Sequence, residues 1–419
     1  MSDERVTNWA GNIVFGARRL HRPASVEQVQ ELVAAGNPVK VLGSGHSFNR
    51  MADTGGDLLS LTGLPRIVEV AEDRRTVRVD GGIRYGELFA RLDAEGLALH
   101  NTASLPHISV AGAIATATHG SGGRHANLAT AVSGIELVRG DGELVTLRRD
   151  TDGDVFAGAV VHLGALGVIT ALTLDVEPTY EIRQYVFDDV PRASLEAHLP
   201  EMLADGYSVS LFTNWTSPDP NMAWLKRKDP VPAGDWYGAR RADGPRHPVP
   251  GMPALNSTDQ SGEPGPWHTR LPHFRMEFTP SSGEELQSEY HVARERALEA
   301  VDAVQAIGAD VAAVLQICEL RTIAADDLWL SPNYRRDTFA LHFTWIADTE
   351  AVLPVVAKLE QALAPLDPRP HWGKVYTVPS ETIRDQYDRF SDFVALADAY
   401  DPRGIFRNAW LDDLLGDRR

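Results

Sequence analysis

The sequence has few of the features that secreted and membrane proteins use. Cys318 is the only cysteine in 419 residues, so no intrachain disulfide can form. No window approaches the ~18 consecutive apolar residues of a membrane-spanning helix. The polar residues 1–9 also lack the apolar run of a signal peptide. We therefore expect a cytoplasmic protein that does not enter a membrane.

Positive charge is also scarce. The 40 Lys and Arg residues are outnumbered by 58 Asp and Glu, which gives a net charge of -18 at pH 7. Such a chain repels phosphate-rich surfaces on average, so nucleic acid and anionic membranes are excluded as partners. A neutral small molecule is unaffected by this charge, and we expect a monomer that acts on one.

The order of predicted elements indicates an α+β protein. Short strands alternate with helices up to Pro178, and from Tyr180 the pattern favours an antiparallel sheet covered on one face by helices. The predicted divisions are a first domain 1–178, a second domain 179–370 and a closing segment 371–419. Within the second and third, the pattern predicts a helix over 288–307 and strands over 314–323, 338–346 and 375–378.

A glycine turn after a short apolar strand is the first chemically informative stretch. Gly43, Ser44 and Gly45 follow that strand, and glycine-rich backbone lets N–H groups point at an anion such as a pyrophosphate. His46 comes next, so its imidazole would lie against whatever group the turn binds. For this motif alone, a turn with a surface histidine is the simpler alternative.

Two further segments favour a bound ligand. Residues 104–122 are a run of small residues, which lets backbone approach a large planar ligand. Hydroxyls at Ser109, Thr116, Thr118 and Ser121 are available to phosphate oxygens. A tightly packed helix of small residues is the alternative for this run. Residues 164–170 form the third segment, which leads into a β-branched strand.

Taken together, these segments resemble flavoproteins of the vanillyl-alcohol-oxidase type, and the whole chain is most similar to the alditol oxidases in that group. The resemblance implies a two-domain, PCMH-type FAD-binding fold with a substrate cap domain, and FAD bound covalently through His46. Relatives with two covalent links carry a cysteine within residues 100–105, where this chain has none, so we expect one link. The implied cofactor-binding residues are Val41, Leu42, Gly43, Ser44, Gly45, His46, Ser47, Ser104, Ser109, Gly112, Thr116, Ala117, Thr118, His119, Val168, Ile169 and His371.

Two later strands carry polar residues on one face. Side chains alternate along a strand, so Glu319 and Arg321 share one face while Cys318 points to the other, into the core. His342 and Thr344 share a face in the same way. If the two strands are neighbours, these four polar residues line one wall. A solvated surface ion pair of little energetic value is the alternative.

The segment His371-Trp372-Gly373-Lys374 resembles a motif shared by sugar-oxidising members of the family. The resemblance implies oxidation of the C1 primary hydroxyl of an alditol, such as xylitol or sorbitol, with hydride transfer to flavin N5 and reoxidation by O2 to H2O2. A hydroxyl-rich, charged wall suits such a polyol, because each unpaired buried hydroxyl costs ~1–3 kcal/mol. The residues do not say which group is the base. The implied substrate-binding residues are Ser104, Glu319, Arg321, Thr344 and Lys374, and the implied catalytic residues are Lys374, Arg321 and His342.

Other functions stay open at this point. An aldonolactone oxidase or dehydrogenase would share the fold, the histidine link and the His-Trp-x-Lys motif. A flavin-free carbohydrate-binding protein would keep the fold and be colourless. We do not expect a metal site, since His119 and His125 have no third ligand at a recognisable spacing.

Overall fold

The computed structural model describes residues 6–231 and 234–416. The ends of the first and last predicted divisions, 1–5 and 417–419, and residues 232–233 of the second lie outside the described residues. Within the described part, helices and four β-sheets form an α+β fold, as the sequence predicted.

A small parallel sheet leads to the glycine turn. Its strands are β1 (Arg19–His21), β2 (Val39–Val41) and β3 (Asp57–Leu59), in the order β1-β3-β2. Helix α1 (Val26–Ala34) connects β1 to β2, and the Ser25 hydroxyl caps it by accepting from the Gln28 N–H at 3.4 Å. The chain leaves β2 directly into Gly43 and Ser44, so the turn lies at the carboxyl end of a parallel strand.

An antiparallel sheet completes the first part of the fold. Its strand order is β4-β5-β9-β7-β8. The β7–β8 hairpin is the one that the Gly140-Asp141-Gly142 turn predicts. A separate short pair joins β6 to β10. The bounds are β4 (Val68–Val70), β5 (Thr76–Asp80), β6 (Leu97–Ala98), β7 (Val132–Val138), β8 (Leu144–Arg148), β9 (Val168–Asp175) and β10 (Glu177–Pro178), with helices α2 (Tyr85–Ala94), α3 (Val110–Ala115) and α4 (Arg149–Val160).

The second part of the fold is built on a larger antiparallel sheet. The described strands follow the order β14-β11-β13-β12-β17-β18-β16-β19, and β15 pairs with β11. The strands are β11 (Glu181–Asp188), β12 (Ser208–Thr213), β13 (Met222–Arg227), β14 (Arg240–Arg241), β15 (Gly265–Pro266), β16 (Leu286–Ala293), β17 (Leu315–Ile323), β18 (Thr338–Trp345) and β19 (Arg369–Pro370). The helices are α5 (Arg192–Ala204), α6 (Ala297–Gln305), α7 (Gly308–Ala312) and α8 (Thr349–Leu363).

The two faces of this sheet differ in chemistry. Apolar side chains of its central strands, among them Leu211, Leu320 and Phe343, pack with α5, α6 and α8 in one buried cluster. Cys318 lies in that cluster and is fully buried, as its alternation predicted. The opposite face carries Glu319 and the other polar residues of β17 and β18, and it faces the first part of the fold.

Two sequence predictions for this region are wrong. The helix predicted over 288–307 begins only at Ala297, because residues 286–293 form strand β16. Buried polar residues such as Glu289 and His291 alternate there with Tyr290 and Val292, and this two-residue period was hidden by their charge. The strand predicted over 375–378 is absent from the described structure. Instead, the Val375 N–H donates one hydrogen bond to the Gln287 carbonyl at 2.8 Å.

The chain ends with helices that pack on the first part of the fold. They are α9 (Ser380–Asp385), α10 (Phe390–Tyr400) and α11 (Ala409–Leu415). Phe393 and Leu411 are buried in the same cluster as Leu88 of α2. The Asn408 amide donates to the Arg50, Met51 and Asp53 carbonyls. None of the helices in the described part of the chain has both the length and the apolarity to cross a membrane.

Candidate active site

One large cavity lies between the first part of the fold and the polar face of the large sheet. The space between its walls amounts to about 1990 Å³, a volume that includes open solvent. The glycine turn lines one side, and β16, β17 and β18 line another. All predicted substrate-binding and catalytic residues line it, and so do all predicted cofactor-binding residues except Ala117 and Val168.

The side chains of these two residues do not reach the cavity. Val168 packs under α1 with Val29 and Val33, while the next residue of the strand, Ile169, reaches the cavity. Strand alternation therefore turns the side chain of Val168 away from the cavity, whereas contact of its backbone with a cofactor stays a prediction. Ala117 is fully buried in the core.

The glycine turn and the start of α3 approach each other closely. A Cβ on Gly43 would lie 2.4 Å from Ser109 Oγ, and one on Gly112 would lie 2.7 Å from the same atom. The Ser109 N–H donates to Ser44 Oγ at 3.1 Å. Ser109 Oγ itself is buried without a hydrogen-bond partner. Backbone N–H groups and an unpaired hydroxyl are the hydrogen-bond donors that bind the oxygens of a pyrophosphate.

His46 faces this cradle as a neutral imidazole. Its ring stacks on Trp9, with ring centroids 4.8 Å apart. Burial, together with the nearby charges of Lys374 and Arg84, lowers the pKa of His46 to about 3. Its Nδ1 is buried and has no hydrogen-bond partner. The unpaired imidazole, the glycine cradle and the large cavity fit a flavin dinucleotide.

The polar wall, defined as Glu319, Arg321, His342 and Thr344, is continuous. β17 and β18 are neighbours, and Glu319 lies opposite His342 in the register. Glu319 and Arg321 are only 4% and 5% exposed, so the alternative of a solvated ion pair is excluded. The Arg321 guanidinium donates to Ser104 Oγ at 3.4 Å, which ties the wall to the segment after Asn101.

Lys374 reaches the wall from the closing segment. The Asn49 amide donates to the Trp372 and Lys374 carbonyls, at 2.6 and 3.0 Å, which fixes this segment against the turn. Lys374 Nζ donates to Gln287 Oε1, and His342 Nε2 lies 3.1 Å from the same oxygen. Burial lowers the pKa of Lys374 to about 8, against the opposing effect of Glu289. Burial lowers the pKa of His342 to about 3.

Glu289 is a site residue that sequence reasoning missed. It is 2% exposed, and its Oε1 accepts from Arg321 Nη2 at 2.6 Å and lies 3.0 Å from His119 Nε2. Burial acts to raise the pKa of Glu289, but Arg321 and His119 hold it well below the usual range. The signal that could have found it is the alternation of 286–293, which the predicted helix obscured.

This carboxylate belongs to a group of three possible metal ligands. Among the described residues, the ligand atoms of His119, Glu289 and His291 lie within 4.8 Å of one another. The Arg321 guanidinium already takes the place beside Glu289 Oε1 that a cation would need, so an ion pair accounts for the charge there. His125 lies apart from this group, with its ring 4.1 Å from that of Tyr207.

Strand β13 and the segment between β13 and β16 each contribute one more residue that was missed. His273 lies on the cavity and its Nε2 is 2.8 Å from Glu319 Oε1. Lys226, from β13, is 1% exposed and lies 3.0 Å from His273 Nδ1. The His273 and Phe274 N–H groups donate to the Ser104 carbonyl at 3.0 and 3.3 Å. This irregular, Pro- and Gly-rich segment therefore forms part of the site, and no periodic pattern in the sequence marks it.

The chain is similar in sequence to known proteins over most of its length. Residues 17–148 match the FAD binding domain family, and residues 282–414 match the D-arabinono-1,4-lactone oxidase family. An alditol oxidase from Streptomyces sp. is 55% identical over 98% of this chain and 99% of its own length. An L-gulono-1,4-lactone dehydrogenase from Mycobacterium tuberculosis is 29% identical over 98% and 99% of the two chains.

Solved structures agree on the fold. A cholesterol oxidase from B. sterolicum has a TM-score of 0.80 at 14% identity, covering 99% of this chain and 97% of its own. A solvent-stable cholesterol oxidase has the same TM-score at 17% identity, with 98% and 97% coverage. These structures confirm the PCMH-type fold, and the near full-length identity with the Streptomyces protein shows that this chain belongs to the alditol oxidase family of vanillyl-alcohol-oxidase-type flavoproteins.

Proposed function

We propose that this protein oxidises the C1 primary hydroxyl of an alditol, such as xylitol or sorbitol, to the aldose, with O2 reduced to H2O2. The observation that carries the proposal is the buried polar wall, which faces the same cavity as the His46 turn. Each desolvated substrate hydroxyl needs a partner, and the wall supplies carboxylate, guanidinium, imidazole and hydroxyl groups. The 55% identical alditol oxidase supports the same activity.

FAD is held in this proposal by the glycine turn and Ser109, and it is attached covalently through His46. The unpaired, neutral Nδ1 of His46 supports the attachment. Held there, FAD would supply the acceptor for the C1 hydride and the means by which the electron pair reaches O2. Gly43 has no side chain, and a Cβ at this position would collide with Ser109, so glycine keeps the space between the turn and Ser109 open.

The protein side of the reaction is proton transfer and charge stabilisation at C1. A general base works best when its pKa lies near the working pH. With a pKa of about 8, the amine of Lys374 is suited to take the C1 hydroxyl proton, whereas His342, with a pKa of about 3, is a much weaker base. Arg321 stays charged and stabilises the developing alkoxide, and Glu289 keeps its guanidinium in place.

The remaining substrate contacts follow from the geometry of the wall. Glu319 accepts from a substrate hydroxyl, since it is an ionised carboxylate on the cavity. The hydroxyls of Ser104 and Thr344 also line the cavity. They form hydrogen bonds with the hydroxyls at other positions along the polyol chain.

The division of the chain and its assembly belong to the same proposal. A division at 1–178, 179–370 and 371–419 is supported by the separate sheets and by the packing of α10 and α11 on the first part. A monomeric, cytoplasmic protein remains our proposal, to be tested by size-exclusion chromatography and by cell fractionation.

A lactone oxidase is the second candidate, favoured by the family match over residues 282–414. Oxygen consumption by the purified protein separates the two functions. We expect turnover with xylitol and sorbitol that far exceeds turnover with L-gulono-1,4-lactone. The reverse ranking assigns the lactone activity, and a colourless protein without turnover supports the flavin-free binding function.

A further inference from the structure

A buried hydrogen-bonded chain leads to the polar wall, and two of its three members, Lys226 and His273, have no part in the reaction as described above. It runs from Lys226 through His273 to Glu319. Lys226 Nζ is 3.0 Å from His273 Nδ1, and His273 Nε2 is 2.8 Å from Glu319 Oε1. The three residues are 1%, 4% and 4% exposed. Three ionisable side chains in one dry row carry a large desolvation cost unless each is paired.

The protons in this chain can be placed by elimination. Burial acts to raise the pKa of Glu319, but Arg321 and His273 hold it below the usual range, so the carboxylate is ionised and only accepts. His273 Nε2 must therefore carry the proton. Burial lowers the pKa of His273 to about 4, so the ring is neutral and Nδ1 accepts from Lys226. Lys226 Nζ also donates to the Leu271 carbonyl.

The two carboxylates of the site, Glu289 and Glu319, therefore have different partners. Arg321 is two residues from Glu319 on the same strand, yet its Nη2 donates to Glu289 at 2.6 Å, while its Nε lies 3.7 Å from Glu319 Oε2. His342 Nδ1 lies 3.9 Å from that same Oε2. Glu289 thus holds Arg321, and His273 holds Glu319 through Oε1. Oε2 has no partner within hydrogen-bond distance among these neighbours.

We propose that His273, oriented by Lys226, is a positioning residue that fixes the carboxylate of Glu319. In this orientation, Oε2 alone accepts a hydrogen bond from one secondary hydroxyl of the polyol. This inference rests on the proposed alditol oxidation and names the device behind its selectivity. Without His273, the carboxylate is free to rotate toward Arg321, where it would form an ion pair instead of receiving a substrate hydroxyl. The ring is held in place by Trp224 and Phe212, whose centroids lie 4.9 and 5.8 Å away.

The test combines variants of the chain with variants of the substrate. Steady-state kinetics are measured for xylitol and for pentitols that each lack one secondary hydroxyl. In the wild-type protein, removing the hydroxyl that Glu319 accepts lowers kcat/KM by about tenfold or more, as expected for a hydrogen bond to a charged group. In His273→Leu, the KM for xylitol rises by about tenfold while kcat changes less, and the penalty for that one missing hydroxyl falls to about threefold or below.

Two further variants separate positioning from folding. His273→Gln keeps an N–H donor at the ε position and restores the discrimination. Lys226→Met keeps the length of the side chain but lets the ring change tautomer, so it moves discrimination in the same direction as His273→Leu. His268→Leu, in the same segment but outside the cavity lining, is the matched control and leaves the discrimination unchanged.

Uniform losses would overturn the inference. If His273→Leu and Lys226→Met lower kcat/KM for xylitol and every deoxypentitol by the same factor, the chain has only a structural role. That result leaves the proposed oxidation intact, because the wild-type protein is active in the same assay. A wild-type protein that oxidises no pentitol overturns both proposals.

Discussion

The pH dependence of the reaction follows from the environment of Lys374. Its amine lies on the cavity and donates to Gln287, and desolvation there lowers the pKa of Lys374 to about 8. If the neutral amine accepts the C1 proton, the active fraction is about 1% at pH 6 and about 50% at pH 8. We therefore expect kcat/KM for xylitol to rise about 50-fold between these pH values and to level off above pH 9. The rise with pH has the sign of a base that must lose its proton.

Variants at this position make the prediction specific. Lys374→Arg keeps a positive charge that does not titrate in this range, so the profile becomes flat and kcat/KM falls by roughly 10²–10⁴-fold. Lys358→Met removes a lysine that is half exposed and paired with Asp310, and it should leave the profile unchanged. The assay is initial-rate oxygen consumption from pH 6 to 10. A Lys374→Arg profile that still rises through pH 8 would refute the assignment of the base.

Other predictions concern the cofactor link, the backbone and the thiol. His46→Ala should abolish the covalent link, so that acid-precipitated variant protein is colourless; a yellow precipitate would contradict the attachment site. Gly56→Ala should lower the free energy of unfolding by about 1–3 kcal/mol, because its Cβ would lie 2.0 Å from the Pro38 carbonyl oxygen, whereas Gly55→Ala has nothing within 4 Å and serves as the control in thermal unfolding. Burial raises the pKa of the Cys318 thiol, so a thiol reagent should label it only in unfolded protein; rapid labelling of the native protein would contradict its place in the core.

Local motifs indicated most of the residues that line the cavity. The glycine turn with His46 and the segment ending in Lys374 are each only a few residues long, and their resemblance to a known family is what indicated their roles. Alternation along a single strand was enough to place Glu319 and Arg321 on one face and Cys318 on the other. The structure adds that these pieces meet in one cavity.

The missed residues lacked such local signals. Glu289 lies on a strand whose polar residues are buried by pairing with β18, and this depends on the register between distant segments. His273 belongs to a stretch with no periodicity, and Lys226 has the appearance of an ordinary strand lysine. The side chains of Ala117 and Val168 face the core, which no local motif indicated.

The most direct test of the account is anaerobic spectroscopy of the purified protein. We predict a yellow protein whose flavin absorbance bleaches on addition of xylitol and returns on admission of O2, with one H2O2 formed for each xylitol consumed. A colourless protein, or a yellow protein whose spectrum is unchanged by any alditol, would contradict it.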